Sequence, residues 1–317
     1  MENQETKKTT GKGKAKANTE ENKEQVQEQV IQPTEEKKET PDPVMVANKD
    51  IPLEGSTVVM TELLIKKQSD ERIAVVIPYV RAYAQGKELK FALASLQMFL
   101  KAEFKVVIIG DREEWFSDEV IHIAHECCSE NPQTDVLEKL KVAIASDEVS
   151  EKFIWSNDDI YLVSPVTMAD LEVLKVKGLL NPKTFSGTYK ENIERTIELL
   201  SSTEYSYPKR DYATHMPVVY HKEFFVDLLE ELPEILNGGY LLSSLYFNLG
   251  YGDHVPIMLN WETDNWVLPV KSAKPDEKRF IDLIAKKKFL NNTPSGYSEF
   301  LEKWLEKKFP NKSIFEK

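Results

Sequence analysis

Residues 73–78 read Ile-Ala-Val-Val-Ile-Pro, a continuous apolar run that ends at a proline. Such a run is typical of a strand that is buried on both faces of a sheet. Four leucines then follow at intervals of four, three and four residues: Leu89, Leu93, Leu96 and Leu100. This spacing places them on one face of a helix. A second apolar run, residues 106–109, ends at Gly110 and Asp111. The order strand, helix, strand predicts a right-handed βαβ unit of a parallel sheet.

A third apolar segment, residues 153–155, leads into an acidic pair. Its sequence is Phe-Ile-Trp, and Ser156 and Asn157 connect it to Asp158 and Asp159. We predict a third strand here, with the acidic pair just beyond its carboxyl end. Ligands of open α/β sheets bind beyond the carboxyl ends of the strands, so this position favours a functional role. The predicted fold class is α/β, with a mostly parallel open sheet flanked by helices.

Further helices are predicted from apolar spacing. One follows Asp135 and Glu138, which resemble a capping pair, and its apolar positions are Val136, Leu140, Ala143 and Ile144. That spacing indicates an amphipathic helix. A helix around residues 228–232 should stop at residues 237–239, where Asn-Gly-Gly is a C-terminal stop signal. The last helix is predicted around residues 300–305.

The amino-terminal part of the sequence differs in composition from the rest. Residues 1–49 contain no aromatic residue and consist mainly of Lys, Glu, Gln, Thr and Asn. Such a segment cannot bury enough apolar surface to offset the entropy lost on ordering. We therefore expect a disordered polar tail over residues 1–49 and a single domain over residues 50–317.

The charge of the chain argues against nucleic acid as its main ligand. The net charge is −12, and the lysine-rich stretch at residues 7–16 is the only basic candidate for such binding. An acidic surface repels phosphate backbones, and a solvated tail accounts for the lysines, although binding of nucleic acid by that tail stays an alternative.

The hydropathy of the chain and its two cysteines indicate the cellular compartment in which we expect the protein. No segment approaches the roughly 18 consecutive apolar residues of a membrane span, and the first 25 residues lack the apolar core of a signal peptide. Cys127 and Cys128 are adjacent, which suits neither an ordinary long-loop disulfide nor a four-ligand zinc site. A cytoplasmic, reducing location is expected.

The acidic pair predicts a metal site. Consecutive carboxylates are costly to bury unless a cation or a donor compensates them. Divalent ions such as Mg²⁺ or Mn²⁺ take oxygen ligands and share them with phosphate oxygens. We predict that Asp158 and Asp159 bind such an ion. The alternative is an acidic turn in which one aspartate caps the chain.

Several stretches resemble one family of enzymes. Residues 153–159, FIWSNDD, followed by residues 160–171, IYLVSPVTMADL, look like the aspartate-containing block of Stealth-type sugar-phosphate transferases, which are GT-A-like enzymes. Residues 88–96 resemble that family's E-L-x-x-x-L-x-S helix, and residues 214–220 are similar to its His-x-Pro block. Residues 309–316 look like the terminus of related bacterial and phage glycosyltransferases.

The resemblance implies a GT-A-like domain and a metal-dependent transfer from a nucleotide sugar to a hydroxyl of a saccharide or another acceptor. The nucleotide-binding half would span residues from about 70 to 165, and the acceptor half residues from about 166 to 317. The first strand departs from the family pattern, because residues 77–81 read Ile-Pro-Tyr-Val-Arg instead of a turn with tryptophan and aspartate. Glycosyl transfer and sugar-phosphate transfer therefore both stay open.

The resemblance also implies roles for residues at the strand ends. Tyr79 would stack on the base, Arg81 would pair with the diphosphate, and Asp111 would bind the ribose. Asn157 joins them as a binding residue next to Asp158, while Asp159 is also counted as catalytic. Each of these three residues also has an interpretation without a nucleotide. Tyr79 would lie at the edge of the core, Arg81 would be a solvated charge, and Asp111 would be a turn residue after Gly110.

Two features of the second half complete the candidate site. His215, with an ordinary pKa near 6.5, would serve as base toward the acceptor hydroxyl or as a third metal ligand; the alternative is a structural histidine. Residues 238–248 combine glycine, hydroxyl and aromatic residues, which suits a sugar-binding wall. The same stretch also fits a core helix with Leu242, Leu245 and Leu249 on one face.

A second class of function stays open at this point. Residues 77–81 differ from the family pattern of the first strand, and the chain has a long polar tail. Both features also fit a GT-A-like domain without catalysis, which binds a ligand while its tail recruits a partner.

Overall fold

The structure, a computed structural model, describes residues 71–268 and 276–317. The predicted tail over residues 1–49 lies outside these residues. Within the described part, the strands are β1 (Ile73–Tyr79), β2 (Leu100–Lys101), β3 (Phe104–Gly110), β4 (Val120–Ala124), β5 (Lys152–Trp155), β6 (Ile160–Leu162), β7 (Val166–Thr167), β8 (Lys175–Val176), β9 (Gly178–Leu179), β10 (Arg210–Asp211), β11 (Val218–His221), β12 (Ile257–Met258), β13 (Asn265–Leu268) and β14 (Phe289–Asn292).

Eight α-helices lie in the same described residues: α1 (Glu88–Phe99), α2 (Pro132–Ala145), α3 (Met168–Glu172), α4 (Gly187–Ser202), α5 (Lys222–Glu231), α6 (Leu242–Tyr251), α7 (Glu277–Ile284) and α8 (Glu299–Lys308). Short 3-10 helices occupy Pro182–Thr184, Pro233–Asn237 and Pro294–Gly296. None of the helices in this part of the chain is both long and apolar enough to cross a membrane.

The central sheet has five strands in the order β11-β5-β1-β3-β4. Strands β5, β1, β3 and β4 are parallel, and β11 is an antiparallel edge strand beside β5. Val75 lies opposite Val106 on one side and Ile154 on the other. The predicted α/β class, with a mostly parallel sheet and flanking helices, is confirmed.

Apolar side chains cover both faces of this sheet. Val76, Val107 and Phe153 pack in one cluster with residues of α2, α4, α5 and α6. Val75 and Ile77 point to the opposite face, where they pack in a second cluster with the leucines of α1. Because both faces are covered, the strands read as continuous apolar runs instead of alternating ones.

Helix α1 lies between the central sheet and a second sheet. Its predicted leucine face is confirmed, because Leu89, Leu93 and Leu96 pack against the central sheet; the helix ends at Phe99, and Leu100 begins β2. Phe91 on its other side packs in a third cluster with residues of β6, β14, α7 and α8. The second sheet has the order β13-β14-β6, so β6 carries the chain from the central sheet into this layer.

The predicted capping pair of α2 is wrong, although the helix is present. Asn131 caps the helix through a hydrogen bond from the Gln133 amide to its side chain (3.0 Å), because Pro132 begins the helix earlier than expected. Asp135 is buried, accepts a hydrogen bond from the Cys128 amide (3.0 Å) and pairs with Lys139.

The stop predicted at residues 237–239 belongs to a different element than expected. Helix α5 ends at Glu231, before Pro233, and the Asn-Gly-Gly stretch ends the following 3-10 helix. Gly238 has a φ of +73°, and a Cβ there would lie 2.5 Å from the Thr134 side chain, so the turn requires glycine. The last predicted helix, around residues 300–305, is confirmed as α8.

Candidate functional site

The acidic pair lies in the turn that joins the two sheets. Strand β5 ends at Trp155, but the Ser156 amide still donates to the Val76 carbonyl of β1 (3.0 Å). A second bond, from the Ile160 amide to the Asn157 carbonyl (3.3 Å), closes the turn. Strand β6 then pairs with β14 of the second sheet. Both ends of this short turn are therefore fixed by sheet pairing.

A cavity of about 260 Å³ opens above this turn. Residues at the carboxyl ends of β1 and β5 and at the amino-terminal ends of α1 and α2 form its walls. Its polar lining residues are Tyr83, Gln85, Glu88, Gln133, Asp135, Asn157, Asp158, Asp159 and Asn292. The prediction that the aspartates sit at the carboxyl edge of the parallel sheet is confirmed.

Burial raises the pKa of both aspartates in the turn. The pKa of Asp158 rises to about 8, first through burial and then through the charges of Asp159 and Glu88. The pKa of Asp159 rises to about 7 through burial and the charge of Glu88, while a hydrogen bond from Asn291 opposes the rise. The buried Oδ1 atom of Asp159 has no hydrogen-bond partner among the described residues.

Glu88, at the start of α1, is a third carboxyl group of this cavity. It is 3% exposed, and burial raises its pKa. Oε1 accepts a hydrogen bond from the Asn292 amide (2.6 Å), and Oε2 accepts one from the Gln85 backbone amide (2.6 Å). The sequence alone does not mark Glu88 as a site residue, because an acidic residue in the first turn of a helix is common.

The residues of the cavity fit a divalent ion that is shared with a substrate. Within residues 71–268 and 276–317, no three His, Cys, Asp or Glu side chains are arranged to hold a metal ion. Mg²⁺ sites often use one or two carboxylates and complete their coordination with waters and substrate phosphates. A cation beside Asp158 and Asp159 would offset their burial and give Asp159 Oδ1 a partner. Metal binding stays a prediction.

A second cavity of about 170 Å³ adjoins the first. Gln133, Val136 and Asn157 line both. Aromatic and hydroxyl side chains dominate the second cavity: Trp155, Ser156, Tyr189, Tyr212, Thr214, Tyr220, Ser243 and Ser244. Among the described residues that line the two cavities, none is a lysine or an arginine. The second cavity is therefore largely neutral, whereas the first is acidic.

Both interpretations of residues 238–248 describe part of what is observed. Leu242 and Leu245 are buried in the core, as a helix face requires. Ser243 and Ser244 line the second cavity, and the Ser243 hydroxyl lies 2.6 Å from the Tyr220 hydroxyl. Asn248 is absent from the cavity lining, because its amide binds the backbone of Arg210. Binding of a sugar by this wall stays a prediction.

His215 lines the second cavity in an unusual backbone conformation. Its φ is +53°, the only positive φ of a non-glycine residue in the described part of the chain. The buried Asn265 side chain donates to the carbonyls of Thr214 (3.1 Å) and His215 (2.7 Å), which holds this conformation. Left-handed backbone is uncommon outside glycine and concentrates at functional sites.

The protein environment keeps the His215 imidazole neutral. The side chain is open to the cavity, yet burial by the surrounding protein atoms and, second, the charge of Lys177 lower its pKa to about 4, while the charge of Asp211 opposes the shift. A neutral imidazole has a free nitrogen that can accept a proton from a hydroxyl. His215 is thus brought to a cavity that adjoins the acidic pair.

The three predicted nucleotide residues meet at the ends of β1 and β3. The Tyr79 hydroxyl donates to Glu113 Oε1 (2.9 Å), and Arg81 Nε donates to the same atom (2.6 Å). The Arg81 backbone amide donates to Asp111 (2.8 Å). Burial, Glu113 and the nearby charge of Asp158 raise the pKa of Tyr79. None of the three lines the two described cavities, and their roles in binding a nucleotide stay predictions.

Glu113 could not be predicted as a site residue from the sequence. Its carboxylate organises both Tyr79 and Arg81, but nothing in the sequence Asp-Arg-Glu-Glu distinguishes it from its neighbours. The close approach of the two strand ends depends on Gly110, because a Cβ there would lie 1.8 Å from the Tyr79 carbonyl oxygen.

The likeness of this chain to known proteins is distant. No protein-family model and no curated protein sequence matches the chain. Among solved structures, the chain is similar to the apo-form glycosyltransferase GlyE of Streptococcus pneumoniae TIGR4, at 11% sequence identity and a TM-score of 0.36. The similarity covers 69% of this chain and 54% of that one, so the chain matches about half of the length of GlyE.

A likeness of this size assigns no activity to the chain. The resemblance to Stealth-type transferases also stays a prediction from the sequence. The geometry of the two cavities therefore supports the functional proposal.

Ionisation of the acidic pair should couple to stability. Burial raises the pKa values of Asp158 and Asp159 in the folded protein to about 8 and 7, whereas aspartates of the unfolded chain lose their protons near pH 4. Their stabilising contribution is complete below about pH 4 and is lost as the pH rises through these values. Without divalent cations, we expect the unfolding free energy to fall between pH 5 and 8 less steeply in Asp158→Asn than in the wild type, as measured by urea denaturation.

The matched control is Asp227→Asn, an exposed aspartate of α5, which should keep the pH slope of the wild type. Equal slopes for the wild type and Asp158→Asn would contradict the raised pKa of Asp158.

Proposed function

We propose that this chain is a metal-dependent transferase that moves a glycosyl group, or a sugar phosphate, from a nucleotide sugar to an acceptor hydroxyl. One observation carries the proposal: a cavity with desolvated carboxylates adjoins a neutral cavity that is rich in hydroxyl groups, and Asn157 lines both. A transfer enzyme needs two such neighbouring compartments, one for a charged donor and one for its acceptor.

The donor compartment is the acidic cavity. No lysine or arginine lines its described walls, so the side chains there cannot neutralise a diphosphate. Asp158 and Asp159 would hold a Mn²⁺ or Mg²⁺ ion, which when bound supplies the positive charge that stabilises a departing diphosphate. Tyr79, Arg81 and Asp111, next to this cavity, would hold the nucleoside and the phosphates.

The acceptor compartment is the cavity that contains His215. In glycosyl transfer, an acceptor oxygen bonds to the anomeric carbon while the bond from that carbon to the diphosphate oxygen breaks. The hydroxyl proton needs a base, and the neutral His215 imidazole would take it. Hydroxyl groups of Ser243 and Tyr220 would orient the acceptor through hydrogen bonds.

Replacing the second aspartate of the pair tests the role of the acidic cavity. In Asp159→Asn, we expect Mn²⁺-dependent turnover or hydrolysis of a nucleotide sugar to fall roughly 100-fold or more, because a neutral amide cannot hold the cation. The melting temperature should not fall, since asparagine has nearly the same size and carries no charge that must be buried. Release of nucleoside diphosphate across a panel of nucleotide sugars measures the turnover.

Asp227→Asn again provides the control and should leave turnover unchanged. Wild-type turnover in the Asp159→Asn enzyme would refute the proposed role of this carboxylate.

The role of His215 is tested by asparagine, which also tolerates a positive φ. For His215→Asn, we expect kcat to fall by about 10²- to 10⁴-fold, the usual contribution of a general base. The affinity for nucleoside diphosphate with Mn²⁺ should stay unchanged, because the histidine faces the acceptor cavity. Steady-state kinetics and calorimetric titration measure the two quantities.

His254→Asn, at an exposed histidine that lines neither described cavity, is the matched control. A kcat near that of the wild type in His215→Asn would contradict the assignment of the base.

A binding module without catalysis is the alternative function. One observation favours it: the Arg81 guanidinium, the proposed partner of the diphosphate, already forms an ion pair with Glu113. A screen of nucleotide sugars with and without Mn²⁺ distinguishes the two. A metal-dependent rise in melting temperature supports a donor site, whereas binding without any turnover supports the module.

A further inference from the structure

Residues 313–317 bind the loop that follows β3, and we call them the clamp segment. The Ser117 amide donates to the Phe315 carbonyl (3.0 Å), and the Lys317 amide donates to the Trp115 carbonyl (2.9 Å). The Ser117 hydroxyl donates to the Ile314 carbonyl (2.6 Å). The loop is thus held along its length by backbone hydrogen bonds to the clamp segment.

Phe315 anchors the clamp segment in the core. Its side chain is 3% exposed and packs in the cluster on the α1 side of the central sheet. Its ring lies 6.0 Å from that of Phe104, at the start of β3. Burying a phenylalanine contributes far more to the position of a segment than one exposed hydrogen bond does.

The clamp segment also binds helix α1. The Ile314 amide donates to the Gln97 side chain (2.9 Å), and Glu316 forms an ion pair with Lys90 (3.0 Å). The Lys90 ammonium lies 4.7 Å from the centre of the Trp115 ring in the loop. Helix α1 begins with Glu88 of the acidic cavity, so the segment connects a helix that borders this cavity with the loop that carries Glu113.

Glu113 stands at the beginning of the clamped loop. The Phe116 amide donates to the Glu113 carbonyl (3.3 Å), which forms a turn between the carboxylate and the clamped residues. The same carboxylate receives the hydrogen bonds of Tyr79 and Arg81. A path of direct contacts therefore runs from Phe315 through the loop to Glu113 and on to the end of β1.

We infer that the clamp segment is a positioning element of the donor site: by docking Phe315 it fixes Glu113, and through Glu113 it fixes Tyr79 and Arg81 for binding of a nucleoside diphosphate. The inference rests on the proposed function for the identity of the ligand. None of residues 309–316 lines either of the two cavities, and the inference assigns a role to this stretch.

Hydrogen exchange tests the positioning without any ligand. In Phe315→Ala, peptides that cover residues 79–83 and 111–117 should exchange about tenfold faster, while peptides of β5 keep their wild-type rates. Ile314→Ala is the matched control, because that side chain is 55% exposed, and it should exchange like the wild type. Unchanged exchange at residues 79–83, or an equal acceleration throughout the protein, would overturn the inference.

Nucleotide affinity tests the consequence for binding. With Mn²⁺ and a panel of UDP, GDP, CDP and ADP, the dissociation constant of the best binder should rise about tenfold in Phe315→Ala and recover in Phe315→Leu. If Phe315 acts through Glu113, then Phe315→Ala combined with Glu113→Ala binds no more weakly than Glu113→Ala alone. Additive losses in the double variant would contradict this path.

Kinetics separate positioning from catalysis. For Phe315→Ala, the KM of the donor should rise while kcat at saturating donor stays at the wild-type value; a fall in kcat alone would contradict a positioning role. If no diphosphate stabilises the wild type, the proposed function fails, and the exchange experiment still decides whether the clamp segment positions the end of β1.

Discussion

The fixed turn between β5 and β6 is the constraint on which the rest of the site depends. Asp158 and Asp159 lie in a turn whose two ends are held by the pairing of β5 with β1 and of β6 with β14, strands that belong to two different sheets. Both carboxyl groups are consequently held in a poorly solvated place beside Glu88, and their pKa values rise to about 8 and 7. Such an arrangement is costly unless protons or a cation compensate the charge.

The two cavities differ in the charge of the side chains that line them. Carboxyl groups concentrate in the first, while the second contains hydroxyl groups, aromatic rings and a neutral imidazole. An anionic ligand enters the first cavity favourably only together with a cation, and the second cavity suits an uncharged polar molecule. His215 lines the second cavity with a positive backbone φ, a conformation that the chain would otherwise avoid. The fully buried Asn265 side chain holds it in place.

Local sequence patterns predicted the parallel sheet well, because strands that are covered on both faces leave an unmistakable apolar run. Residues 73–78 and 106–109 became neighbouring strands, and the leucine spacing predicted α1. Contacts between distant segments could not be predicted in this way. Glu88 reaches the acidic pair only because α1 lies between two sheets, and the second sheet combines β6 with strands more than 100 residues later. The prediction that Asp135 caps α2 was wrong for a local reason, because Pro132 begins the helix earlier and Asn131 is its cap.

Diffraction at the manganese absorption edge, from crystals grown with Mn²⁺ and a nucleoside diphosphate, tests the central claim most directly. The account predicts an anomalous peak at coordination distance, about 2.0–2.6 Å, from carboxylate oxygens of Asp158 and Asp159, with diphosphate oxygens on its other side. A bound nucleotide with no peak beside the acidic pair, or a peak elsewhere in the molecule, would contradict it.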